Sequence, residues 1–184
     1  MLIKSGNALF TQIDKGDNKP NMNIILHEPE IPLNTGNIGR TCVLTGSKLH
    51  LIRPLGFLTD DASLKRAGLD YWHELDITYY DNFEHFLELN PLAVIYMATT
   101  KAKNIYTDVN YNPNSFIMFG KESAGIPEEI LVNYKETAIR IPMIQGKRSL
   151  NLSNSVAIVL YEALRQNNFD NLTLTGQLHR LSWD

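Results

Sequence analysis

The sequence predicts an α/β domain: a mostly parallel sheet flanked by helices. Short apolar runs rich in Ile, Leu and Val recur along the chain. Segments with helix caps and helix-ending glycines alternate with them. The apolar runs are continuous rather than alternating with polar residues, as expected of parallel strands covered on both faces.

Each element has a local reason. Residues 23–27 read as a buried strand, with Ile24, Ile25 and Leu26 in a row. Pro29 and Pro32 stiffen the next loop. Asn34 or Thr35 then caps a helix through about Thr45, and Gly46 ends it. The second strand is 49–52. A loop with Pro54 and Gly56 leads to a short helix near 63–67. A strand at 75–79 and a helix at 82–89 follow. Residues 93–98 form a strand that runs into the polar Thr99-Thr100-Lys101. The apolar strand 116–119 ends in Gly120, and Pro127 opens a helix to about Tyr134. The last strand is 138–141 and the last helix 153–166. Residues 1–21 lack periodicity and read as a disordered extension. Residues 22–169 form the domain, and 170–184 a loose tail with Trp183 as its docking residue.

A chain of 184 residues, 43% hydrophobic and 20% charged, is enough for one soluble domain with a real core. The formal net charge of −3 argues against a general nucleic-acid coat protein. It leaves room for a local basic face from Lys65-Arg66, Lys101 with Lys103, and Lys147-Arg148. The single cysteine, Cys42, excludes an internal disulfide and a cysteine zinc cluster, and fits a reducing cytoplasm. No apolar run has the length of a membrane span and no secretory signal is visible.

Several chemistries lack their residues. No two glycines are separated by one residue, so a dinucleotide fingerprint cannot occur. Gly120 and Gly125 have the spacing of a phosphate loop, but Ile126 stands where lysine is needed. The five histidines have no metal-ligand spacing, and no metal is expected. No Gly-x-Ser-x-Gly elbow is present.

The densest polar stretch is Arg140-Ile-Pro-Met-Ile-Gln-Gly-Lys-Arg-Ser-Leu-Asn-Leu-Ser-Asn-Ser155. It offers more hydrogen-bonding groups than a turn needs, as a cradle for a small polar ligand would. In open parallel sheets ligands bind beyond the carboxyl ends of the strands, where the loops after His27, Phe119 and Ile141 fall. From residue type alone, Arg40 is an exposed helical arginine, Glu122 a surface carboxylate and Gly120 a strand-end turn. Ile141 is core, and Ser149 and Asn151 are helix caps.

Three segments change that reading. Pro32-Leu-Asn-Thr-Gly-Asn-Ile-Gly-Arg40, Phe116-Ile-Met-Phe-Gly-Lys-Glu-Ser-Ala-Gly-Ile-Pro127 and the stretch 139–154 resemble, in order and spacing, the SPOUT methyltransferases of the SpoU type. Within that family the chain is most similar to the small, single-domain tRNA wobble-nucleotide 2′-O-methyltransferases. Glu28-Pro-Glu-Ile-Pro-Leu-Asn-Thr-Gly-Asn-Ile, Arg53-Pro-Leu-Gly-Phe, Lys65-Arg-Ala-Gly-Leu-Asp-Tyr and Val159-Leu-Tyr-Glu-Ala carry the closer likeness.

The resemblance implies a C-terminal deep trefoil knot, S-adenosylmethionine as methyl donor (S-adenosylhomocysteine as product) and a homodimer. The implied substrate is the ribose of tRNA position 34 in an anticodon loop, in leucine tRNAs. Ribosomal RNA, another tRNA position, or a non-catalytic RNA- or nucleoside-binding role are the alternatives. It further implies Arg40, Glu122, Ser149 and Asn151 as catalytic residues. Ala98, Gly120, Ile141 and Ser149 would hold the cofactor. Asn34, Arg40, Lys147 and Arg148 would hold the substrate, and Tyr161 would sit in the dimer interface. A guanidinium is a poor base, so Arg40 would anchor phosphate and stabilise developing alkoxide charge. Glu122 would orient Arg40 or receive the proton through water.

Overall fold

Ile24, Ile25 and Leu26 are fully buried in β1 (Asn23–His27), the strand from which the sheet grows. The structure, a computed structural model, describes residues 22–58 and 72–183. The extension 1–21, the helix expected at 63–67 and the Lys65-Arg66 pair lie outside the described residues. The other strands are β2 (Lys48–Ile52), β3 (Ile77–Tyr80), β4 (Ile95–Ala98), β5 (Asn104–Ile105), β6 (Phe116–Phe119) and β7 (Ala138–Arg140). They form one sheet in the order β3-β2-β1-β6-β4-β7-β5, and every ladder between them is parallel. All carboxyl ends therefore lie along one edge.

Alternate residues of each strand feed opposite layers. Ile24 and Leu26 join Ile117, Phe119 and Ile139 under α1 (Pro32–Thr45) and α4 (Leu152–Gln166). Ile25, Met97 and Met118 join Phe83 and Phe86 of α2 (Phe83–Leu89), with Ile130 and Leu131 of α3 (Glu128–Leu131) packed against that cluster. Cys42 is buried in the first layer, and burial pushes its thiol up to about 12.

The caps explain most boundaries. Asn82 accepts from the backbone N–H of His85 at 2.7 Å and starts α2. Gly46 takes a left-handed φ of 64° and ends α1, while the N–H of Ser47 reaches back to the Cys42 carbonyl. The start of α1 differs from the expectation. Ile31 is the N-cap and gives no side-chain cap, Pro32 opens the helix, and Asn34 and Thr35 lie inside it. A carboxylate from a distant segment, Glu122, holds the two residues that lead into it. At the next site Pro127 is the N-cap rather than the first helical residue, and α3 passes after one turn into a 3-10 turn, Val132–Tyr134.

Two short elements were not anticipated: β5, only two residues long, and the 3-10 turn Trp72–Glu74. Trp183 is 79% exposed and does not dock the tail; Phe169 and Leu172 make the tail's contacts with the core instead. Gln166 and Asn167 pin the end of α4 to the backbone of Val109 and Tyr111.

The second layer encloses a polar group. His50 lies between Tyr80 and Asn23, with Nδ1 2.9 Å from the Tyr80 hydroxyl and Nε2 3.2 Å from Asn23 Oδ1. Asn23 Nδ2 donates to the Asn114 carbonyl, so its Oδ1 is the acceptor and His50 Nε2 carries the proton. Burial pulls the His50 imidazole down to about 4 from its ordinary 6.5. Between those values the unfolded chain binds a proton that the folded chain does not. The stabilisation is complete above pH 6.5, falls as the pH drops, and is lost near pH 4. We expect a loss on the order of 3 kcal/mol from this group across that range. Urea unfolding between pH 7 and 4 measures it, and His50→Gln should flatten that part of the profile.

Candidate functional site

The strand ends His27, Phe119, Ala98 and Arg140 share one edge, and a cleft of about 740 Å³ opens beside it. Ala98 to Lys101 form one wall, Phe119 to Gly125 a second, and Ile139 to Ile141 with Met143 a third. Arg148 to Leu152 close it, and Ile31 and Asn34 reach in from the start of α1.

Gly120 makes the second wall possible. A Cβ there would lie 2.0 Å from the Gly125 carbonyl carbon and 2.1 Å from the Ile126 nitrogen. Only glycine lets the loop fold back so tightly, closed by Gly125 N–H donating to the Lys121 carbonyl at 2.8 Å.

A chain of hydrogen bonds ties three distant segments together behind the cleft. Glu122 braces the entry to α1: it accepts from the N–H of Glu30 at 2.9 Å and of the N-cap residue Ile31 at 3.3 Å. It also accepts from Asn34 Nδ2 at 2.9 Å. Asn34 in turn accepts from Asn151 Nδ2 at 2.9 Å. Asn151 Oδ1 accepts from the N–H of Ser153 at 2.9 Å and of Asn154 at 3.4 Å, capping α4. Carboxylates at helix starts are favourable because they answer the exposed N–H groups and the positive end of the helix.

Two further contacts fasten the same loops. Lys121 donates to Glu28 at 2.8 Å, and that hydrogen bond raises its ammonium above the usual range. Glu28 adopts a left-handed φ of 52° beside buried His27, whose imidazole burial holds below its ordinary value. Glu30 accepts from the hydroxyl of Ser123 at 2.8 Å and from its N–H at 2.9 Å, which keep its carboxyl below the usual carboxylate range. On the opposite wall Lys101 donates to Glu128 at 2.6 Å.

The structure thus brings Ala98, Gly120, Ile141 and Ser149 to one cleft, together with Asn34, Glu122, Arg148 and Asn151. Two expected substrate residues do not line it: Arg40 is exposed on α1 and Lys147 is exposed on its loop. Tyr161, expected in a dimer interface, is exposed on α4. Both carboxylate oxygens of Glu122 accept from the segment that enters α1, from Glu30, Ile31 and Asn34. Asn151 is the α4 cap, and Ser153 donates to it rather than capping. Glu28, Glu30, Lys121 and Ser123 were missed. The signal available was an acidic pair just ahead of a helix start with no cap of its own. Among the described residues no three His, Cys, Asp or Glu side chains gather as a metal site, and no helix is long and apolar enough to cross a membrane.

Residues 21–161 match the SpoU rRNA Methylase family. The tRNA (cytidine(34)-2′-O)-methyltransferase of Escherichia coli K12 is 47% identical over 146 residues, covering 79% of this chain and 93% of that protein. A solved structure concerned with 2-OH methylation of C/U34 on tRNA is 41% identical, with a TM-score of 0.76, and covers 82% of this chain and 99% of that one. An AdoMet-bound rRNA methyltransferase from Sinorhizobium meliloti is 25% identical, with a TM-score of 0.68, and covers 79% of this chain and 56% of that one.

Asn34→Ala removes one bond to a carboxylate and one to Asn151, so we expect a stability loss of about 2–3 kcal/mol in urea unfolding. Asn34→Asp should lose more at pH 7, because it sets a second carboxylate against Glu122. One carboxyl of that pair would have a raised folded pKa, so the deficit should shrink as the pH falls through it.

Proposed function

Because the chain belongs to the SpoU methylase family and is a methyltransferase, we propose that it methylates the ribose 2′-hydroxyl of the wobble nucleotide, position 34, of tRNA, with leucine tRNAs as substrates and S-adenosylmethionine as donor. Residues 22–169 are its catalytic unit, and the cytoplasm is its site of action. One observation carries the reading. The three segments that resemble the family's motifs, far apart in sequence, are joined by hydrogen bonds around one cleft at the carboxyl ends of a parallel sheet. The tRNA-methylating relative and the AdoMet-bound neighbour support the choice of substrate and donor.

The cleft suits that donor. Its volume accommodates a nucleoside with a short amino-acid arm, and Gly120 lets the 120–125 loop fold back on itself to form one wall. Backbone groups of Ala98, Gly120 and Ile141, with Ser149, would hold it. When bound, it supplies an electrophilic methyl group. The chain's own task is to hold the acceptor hydroxyl in line and to stabilise the oxygen as its proton leaves. Arg148 and Lys147 on the closing loop would bind the backbone of an anticodon loop. Arg40 would grip the phosphate beside the reacting ribose.

Arg40 lies outside the cleft of its own chain, which favours action across a homodimer. Leu33, Leu44 and Tyr161 are exposed on α1 and α4, which pack together, and they would form the partner contact. A C-terminal trefoil knot completes the reading. β7 lies between β4 and β5 although it follows both in sequence, and the end of α4 is tied back to residues 109–111.

Methyl transfer to unmodified and modified tRNA pools, followed by nucleoside mapping, tests the activity. A 2′-O-methyl group at position 34 is expected; methylation only of ribosomal RNA, or of another tRNA position, would overturn the substrate. Arg40→Ala should lower kcat by roughly 100-fold or more while S-adenosylhomocysteine still binds. Tyr161→Asp should shift the protein from dimer to monomer in analytical ultracentrifugation and abolish activity. A fully active Tyr161→Asp monomer would sink the cross-subunit role of Arg40.

A further inference from the structure

The wall formed by residues 120–125 has little packing of its own. Ser123 and Ala124 are exposed, and a Cβ on Gly125, at φ 74°, would meet nothing within 4 Å. Glycines at 120 and 125 leave this backbone permissive. Its shape therefore depends on hydrogen bonds. One is internal, Gly125 to Lys121. Its outer flank is held by Glu30, which takes both the hydroxyl and the N–H of Ser123.

Glu30 is a firm anchor. Its N–H donates to Glu122 Oε2 at 2.9 Å, so residues 30, 122 and 123 close a ring of hydrogen bonds. Its backbone lies against Gly56, where an added Cβ would come within 2.7 Å of the Glu30 Cα, and Gly56 donates to the Pro29 carbonyl at 2.9 Å. Pro29 is itself buried. The anchor is thus fixed from behind while its carboxylate faces the cleft loop.

We propose that Glu30 is a positioning residue for methyl-donor binding: by clamping Ser123 it holds the 120–125 backbone in the shape that receives the donor. The inference rests on the reading of the cleft as a donor site. The clamp holds the wall alike in ground and transition states. Its loss should raise the donor KM and leave kcat nearly unchanged.

The test is calorimetry with S-adenosylhomocysteine on the full chain, alongside KM and kcat for S-adenosylmethionine. Glu30→Ala removes two bonds to a carboxylate and should raise Kd and KM roughly 10-fold or more, with kcat within about threefold. Glu30→Gln keeps an oxygen acceptor for Ser123 and should recover most of the affinity. Unchanged KM in Glu30→Ala, or a fall in kcat at constant KM, would overturn the proposal. If Glu30→Ala does not fold, Ser123→Ala, which removes the hydroxyl bond to Glu30, carries the test. A raised donor KM at nearly constant kcat supports the clamp; an unchanged KM refutes it. Absence of binding in the wild-type protein would instead remove the donor-site reading itself.

Discussion

The Asn34 side chain joins the parts of the cleft. It is buried near the start of α1, donates one amide hydrogen to Glu122 and accepts one from Asn151. A carboxamide suits the place because it donates on one side and accepts on the other. Each partner sits at a helix start. Glu122 accepts from the N–H groups of Glu30 and Ile31, the two residues that lead into α1, and Asn151 caps α4. One interaction thus sets the loop after β6, the start of α1 and the start of α4 in a common frame. Its parts are separated by 88 and 117 residues.

That frame explains why the functional elements lie where they do. A wholly parallel sheet puts all its carboxyl ends on one edge, so the loops there are polar while the layers behind are apolar. Loops without packing need other restraint. Here the restraint is carboxylates held by several donors: Glu28 on Lys121, Glu30 on Ser123, Glu122 on α1. Three acidic residues that look like ordinary surface charge are absorbed in bonds between loops, and a chain of net charge −3 can still offer cations around the cleft. Arg148 lines the cleft, and Lys147 is exposed beside it on the same loop.

Much of the fold was legible because its causes are local. Runs such as Ile24-Ile25-Leu26 and Phe116 to Phe119 mark buried strands, Asn82 and Gly46 mark helix ends, and their alternation implies a parallel sheet. Where local cause gave out, the boundaries moved. α1 begins before Asn34, at Pro32, and Glu122, remote in sequence, holds the two residues that lead into it. β5 is two residues long and exists because the edge of β7 is there to pair with it. Trp183 carried no local signal against docking and stays exposed.

The site divides along the same line. The sequence by itself determined the chemistry on offer: glycines for a backbone approach at Gly120, the polar crowding of 140–155, and a family likeness over the three motif segments. Tertiary structure decided the assignments. It turned Asn34, Glu122 and Asn151 toward one another as a scaffold, placed Arg40 and Tyr161 on the outside, and set Glu28 and Glu30 as braces on the wall residues Lys121 and Ser123. The reason is physical. Strand and helix formation depend on neighbours within a few residues, whereas the partner of a carboxylate depends on which loops the sheet order sets side by side.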